Sequence, residues 1–101
     1  MAIADVRHFL HAFGLDERIR EFDTSSATVA LAAAALGCEP QRIAKTLSFR
    51  IGERVLLIVA AGDAKIDNHK YKAFFGKKAV MLTPEETLKR TGHAVGGVCP
   101  F

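Results

Sequence analysis

The sequence predicts one α/β domain over residues 1–101, a mixed β-sheet with flanking helices. Three observations predict it. Two β-rich runs, 43–51 and 55–61, are separated only by a short turn at Gly52-Glu53, the signature of a hairpin. Segments of helical period, each with start and stop residues of its own, surround that hairpin. Finally, 101 residues that are 50% hydrophobic and 25% charged can bury one core but not two, and are too apolar to stay disordered.

Ile3, Val6, Leu10 and Phe13 recur at helical spacing, so a helix is expected from about Ala2 to Phe13, with Gly14 as its cap. Arg18 to Asp23 alternates like a short strand with Ile19 inward, and Asp23-Thr24-Ser25-Ser26 then offers turn and N-cap chemistry. The alanine-rich stretch Thr28 to Leu36 favours helix and permits close approach of another backbone; Gly37 ends it and Pro40 prevents an immediate restart. In the hairpin, 43–51 alternates while 55–61 is continuously apolar, which predicts that the second strand is the central one. Asp67 can cap a helix running to about Phe75 and ended by Gly76, after which Lys78 to Leu82 reads as a short strand. Thr83-Pro84-Glu85-Glu86 combines an N-cap, a proline at the first helical position and a glutamate at the third, so a helix follows to Arg90 and stops at Gly92. His93 to Val95 then leads into the turn Gly96-Gly97-Val98-Cys99-Pro100.

Charge and composition narrow the classes. Fourteen Lys and Arg against eleven Asp and Glu give +3, a mild excess that permits an anionic partner such as RNA without singling one out. Cys38 and Cys99 form no Cys-x-x-Cys or Cys/His ligand spacing, which argues against zinc and for a reduced, cytoplasmic setting. The N-terminus meets Asp5 and Arg7 too early to be a signal peptide, and no apolar run approaches the roughly 20 residues that cross a bilayer.

Lys45 is the first candidate for chemistry. On an extended strand it shares a face with Ile43, Leu47, Phe49 and Ile51, so it should point inward, while Thr46 faces the other way. Either the lysine snorkels to water from the strand start, or it lines a pocket where an anionic group meets the ammonium. The second candidate is the loop Gly96 to Pro100. It is either an ordinary turn or a set of backbone N–H groups open to a ligand carbonyl. Cys99 invites a nucleophile reading with His93 as its base, but nothing in the spacing brings the two together, and a small buried thiol is the plainer expectation. Lys65, Lys70, Lys72, Lys77 and Lys78, with His69 among them, make the most basic stretch of the chain. It reads as a solvated helix face or a phosphate-tracking patch, with Tyr71, Phe74 and Phe75 at core spacing.

Two segments carry a resemblance. Arg42-Ile43-Ala44-Lys45-Thr46-Leu47-Ser48-Phe49 and Thr91-Gly92-His93-Ala94-Val95-Gly96-Gly97-Val98-Cys99-Pro100-Phe101 closely resemble the signature segments of the YbaK/EbsC family, relatives of the editing domain inserted in prolyl-tRNA synthetases. The helix Thr28 to Gly37 and the strand end Val59-Ala60-Ala61-Gly62-Asp63 fit the same order. The resemblance implies a trans-editing deacylase. Such an enzyme hydrolyses the ester joining a wrong amino acid, such as Cys or Ala, to the 3′ end of a tRNA, typically that for proline.

It further implies that Lys45 is the catalytic position that places the tRNA end, and that Thr46, Gly96, Gly97, Val98, Cys99 and Pro100 bind the aminoacyl group. No cofactor, metal, membrane or DNA is implied; prolyl-tRNA synthetase is the candidate protein partner. The alternative is a non-catalytic RNA- or protein-binding module on the same fold. In two respects the chain departs from the pattern. Cys99 stands where relatives often carry serine, and members usually run further, so 1–101 is expected to be a domain truncated at its C-terminus, with a sheet edge left for other chain to cover.

Overall fold

The computed structural model describes residues 2–101. Four helices, α1 (Ala2–His11), α2 (Val29–Leu36), α3 (Asn68–Phe75) and α4 (Pro84–Thr91), surround a hairpin of β1 (Ala44–Ile51) and β2 (Arg54–Ala61). Short 3₁₀ turns lie at Asp16–Arg18 and Pro40–Arg42.

Helix ends follow their local chemistry. The Thr28 side chain accepts from the Leu31 N–H at 3.2 Å, so α2 is capped by Thr28 itself and not from the Asp23 to Ser26 cluster. At its other end Cys38 N–H reaches Ala33 O at 3.0 Å and Gly37 N–H reaches Ala34 O at 3.3 Å, a Schellman closure. Asp67 caps α3, and the capping box of Thr83 and Glu86 forms at α4 with both reciprocal bonds at 3.2 Å. α1 stops at His11, short of Phe13, because Phe13 N–H and Leu15 N–H both turn back to Leu10 O at 3.0 Å.

The strand expected over Arg18 to Asp23 does not form. Its first residue lies in the 3₁₀ turn and the rest carries no regular structure: Ile19 is extended and half-buried, but no second strand lies beside it among the described residues. Extended geometry without a ladder partner is not a strand. An ion pair between Arg7 and Glu21 at 2.8 Å ties the segment to α1 instead.

The hairpin register runs from Ala44↔Ala61 to Ile51↔Arg54, leaving Gly52-Glu53 as a two-residue turn with Gly52 at φ +58°. That is type II′ chemistry, with glycine first. The expectation that the second strand is central is overturned: β1 is the strand with neighbours on both edges. On its far edge Phe49 bridges Met81, Arg50 N–H donates to Val80 O at 2.8 Å, and Leu82 N–H donates to Ser48 O at 3.2 Å. The apolar run of β2 misled because Val59 is exposed, not covered by another strand.

The strand expected over Lys78 to Leu82 narrows to that single bridge, since Thr83-Pro84 immediately turns the chain into α4. Every pairing among the described residues is antiparallel, so the mixed sheet has no parallel pair there. α3 packs over the Phe49 face of the hairpin, with Phe49 and Tyr71 ring centroids 5.2 Å apart and Tyr71 and Phe75 4.6 Å apart. α4 is tied to β1 by an ion pair of Arg50 with Glu86 and to the hairpin turn by Arg90 donating to Glu53 O at 3.1 Å. No helix among the described residues is long and apolar enough to cross a membrane.

Candidate active site

A cavity of about 460 Å³ lies against the outer edge of β1. Its existence follows from the sheet pattern. Backbone groups of alternate residues on an antiparallel strand point to the same edge. Ser48 C=O and Arg50 N–H use that edge to meet the 80–82 segment, so the backbone groups of Ala44 and Thr46 point the same way, where no strand lies across them among the described residues. The start of α2 (Ala27, Thr28), the start of α4 (Pro84, Thr87) and the loop after α4 (Val95, Gly96, Val98) close round this stretch.

Lys45 and Thr46 both line the cavity although their side chains leave opposite faces, because the cavity abuts the strand edge and touches both. The Lys45 side chain is half-buried, as inward placement requires. Its ammonium donates to Gly62 O at 3.2 Å and to Ala64 O. No Asp or Glu stands opposite it among the described residues, which leaves a ligand as the source of the expected anionic group. Two neutral carbonyls receive the ammonium, and Lys45 forms no ion pair with any carboxylate among the described residues. An ammonium has three N–H donors, so two hold it in position while its charge and one donor stay available.

Gly62 makes this clamp possible. A β-carbon there would lie 2.2 Å from Pro40 O and 2.6 Å from a Val29 methyl, so only glycine lets the chain pass between α2 and the Pro40 turn and present its carbonyl to Lys45.

The opposite wall is the glycine loop. Gly96 sits at φ +89°, and a β-carbon there would lie 3.0 Å from Ala27 O, so the loop packs directly on the entry to α2. Gly97 N–H is consumed by Ala94 O at 2.9 Å, whereas the N–H groups of Gly96 and Val98 have no acceptor among the described residues. Of the residues predicted from the sequence, Lys45, Thr46, Gly96 and Val98 therefore line the cavity, while Gly97, Cys99 and Pro100 do not. Those three shape the loop from behind.

Behind the loop the structure brings together a pair that spacing did not. Cys99 Sγ lies 3.6 Å from Nε2 of His93, which is buried, and the same Nε2 is 2.7 Å from the backbone oxygen of Phe101. That oxygen can only accept, so Nε2 carries the hydrogen and is not free to take one from the thiol. The contact organises the loop. It does not provide a thiolate and a base facing the cavity. Thr91 adds to the hub, its hydroxyl meeting His93 N at 3.1 Å.

Several wall residues had no sequence signal as site residues. Thr87 is one: its hydroxyl donates to Thr83 O at 2.9 Å, which turns its methyl group into apolar lining. Ser48, Leu82 and Ala27 are others, placed there only by the meeting of three elements distant in sequence. No group of three His, Cys, Asp or Glu side chains suited to a metal occurs among the described residues.

Residues 23–101 match the family model of the aminoacyl-tRNA editing domain. The uncharacterized protein YwhH of Bacillus subtilis (strain 168) is 54% identical over 102 residues, covering 100% of this chain and 65% of its own length. A proline–tRNA ligase of Geobacillus sp. (strain WCH70) is 30% identical over 91 residues, 85% of this chain and 16% of that enzyme. Among solved structures, a candidate trans-editing enzyme for prolyl tRNA synthetase superposes with a TM-score of 0.85 at 31% identity, over 98% of this chain and 64% of that one. The chain thus spans about two thirds of the length of YwhH and of that structure. With the family model matching residues 23–101 and the fold shared with that solved structure, the chain belongs to the aminoacyl-tRNA editing domain family.

Proposed function

We propose that this chain carries the substrate site of an aminoacyl-tRNA deacylase that clears a small wrong amino acid, such as Cys or Ala, from proline tRNA. The observation that carries the reading is Lys45: an ammonium clamped by two carbonyls, without a counter-ion, at the edge of an apolar cavity of about 460 Å³. In this reading the charge meets the terminal nucleotide of the tRNA, and the aminoacyl group enters the cavity. The N–H groups of Gly96 and Val98 face the aminoacyl carbonyl, where they would stabilise the negative charge that develops as water attacks. Water adds to the carbonyl carbon, the ester C–O bond breaks, and the ribose oxygen leaves with a proton. None of the loop's side chains acts as a nucleophile; the site works by holding the ester in place.

The direct test incubates the full-length protein with proline tRNA charged with Ala, Cys or Ser and follows release of the amino acid. Release that vanishes in Lys45→Ala supports the deacylase; binding of the charged tRNA without release supports the non-catalytic module.

A further inference from the structure

The basic stretch after β2 has a feature that core spacing does not predict. Tyr71 and Phe75 do turn inward, but Phe74 is 82% exposed. Its ring is held edge-on to Phe75 at 4.8 Å, so it stands out from α3 as a braced platform and not as a loose side chain. Lys70, one turn earlier on the same face, lines with Phe74 and Lys65 a shallow cleft of about 360 Å³. Lys77 and Lys78 follow at the end of the helix. None of these lysines forms an ion pair among the described residues, and the one carboxylate in the stretch, Asp67, is engaged in capping Lys70 N–H at 3.0 Å. Tyr71, which forms part of the cleft wall, has a buried hydroxyl with no hydrogen-bond partner.

The chain links this surface to the site. The loop that clamps Lys45 through Gly62 O and Ala64 O runs directly through Lys65 into the cap of α3. We infer that α3 is the track for the single-stranded 3′ segment of an RNA, with a base stacked on Phe74 and phosphates beside Lys65 and Lys70, leading the terminal nucleotide to Lys45. Exposed aromatics interleaved with unpaired cations suit single-stranded RNA because every base has a stacking face and every linkage a charge. A protein partner of acidic character would match the lysines but gives no reason for a lone braced ring among them. The inference rests on the deacylase reading for its direction, yet its test does not require turnover.

The full-length protein is titrated with two uncharged RNA hairpins of equal stem, one ending in a four-nucleotide 3′ overhang and one blunt. Tighter binding of the overhang is expected, and Phe74→Ala should remove that preference, weakening overhang binding about 10-fold while leaving blunt binding unchanged. Lys65→Gln with Lys70→Gln should weaken binding and lower the slope of log affinity against log salt by about 1 to 1.5, the value for two lost phosphate contacts on a single strand. Equal affinity of Phe74→Ala and wild type for the overhang would overturn the inference, as would a Phe74-dependent self-association in sedimentation with RNA binding unaffected. Binding that behaves as expected in a protein that hydrolyses no charged tRNA would leave the track standing and remove the deacylase reading.

Discussion

The Lys45 wall and the glycine-loop wall of the cavity are fixed by different means. Lys45 stands on the strand with neighbours on both edges, and its ammonium is held by carbonyls from a loop that is itself wedged between α2 and the Pro40 turn. The contacts that hold it come from elements distant in sequence. The glycine loop's hydrogen bonds are local: Gly97 bonds Ala94, Thr91 bonds His93, and His93 bonds Phe101, all inside one eleven-residue segment, 91–101, whose end stacks on Phe9 of α1 at 4.9 Å. Its one close approach to the rest of the fold that glycine itself demands is Gly96 on Ala27. A wall of long-range contacts keeps a cation at a fixed position, while a wall of local contacts can change shape with a single residue. On the proposed deacylase reading, the first suits the end of a tRNA and the second the choice of amino acid.

If that division is right, the largest effect comes from disturbing the long-range wall. Gly62→Ala places a methyl 2.2 Å from the Pro40 carbonyl, and chemical denaturation should show a loss of about 3 kcal/mol or outright failure to fold. A Gly62→Ala protein of wild-type stability would break the comparison. Gly96→Ala, strained by its positive φ and pressed on Ala27, should cost about 1–2 kcal/mol and raise KM for the charged tRNA more than it lowers kcat. Smaller again is His93→Gln, which keeps a donor near Phe101: hydrogen exchange should quicken in 94–100 while the hairpin amides keep their protection. Faster exchange in both regions would mean that the loop is not an independent unit.

The smallest effect lies far from the site. The hydrogen bond from His11 at 3.1 Å holds the Asp16 carboxyl below its ordinary value. A depressed carboxyl contributes stability above its unfolded-state pKa and loses it as pH falls through the folded one. Asp16→Asn should therefore lower Tm slightly near neutral pH and not at all in strong acid, and a difference that grew in acid would reverse the assignment.

The pattern of what the sequence revealed follows the range of the interactions involved. Asp67 and Thr83 cap their helices through bonds three residues long, and Gly52-Glu53 closes the hairpin locally, so all were legible, whereas the cap of α2 falls on Thr28 and not on the Asp23 to Ser26 cluster expected to supply it. Centrality in a sheet is a tertiary property, which is why the apolar β2 was mistaken for the inner strand and 18–23 for a strand with a partner. Lys45 could be placed inward by parity, but the carbonyls that receive it could not, because they depend on Gly62 fitting beneath α2. The approach of Cys99 to His93 was hidden for a similar reason, since it needs the loop to fold back on itself. Phe74 fell in a helix whose other aromatics do build the core, and only packing distinguishes the one left outside.

The central claim is that the clamped charge of Lys45 positions the substrate, and single-turnover deacylation of mischarged proline tRNA tests it most directly. Wild type, Lys45→Ala and Lys45→Met are compared at matched folded fraction, checked by Tm. The account predicts that both variants stay folded, because the clamp joins a side chain to two carbonyls that water can also satisfy, and that both lose about 100-fold or more in rate, the scale of a misplaced substrate. A folded Lys45→Met protein that deacylates within a few-fold of wild type would contradict it.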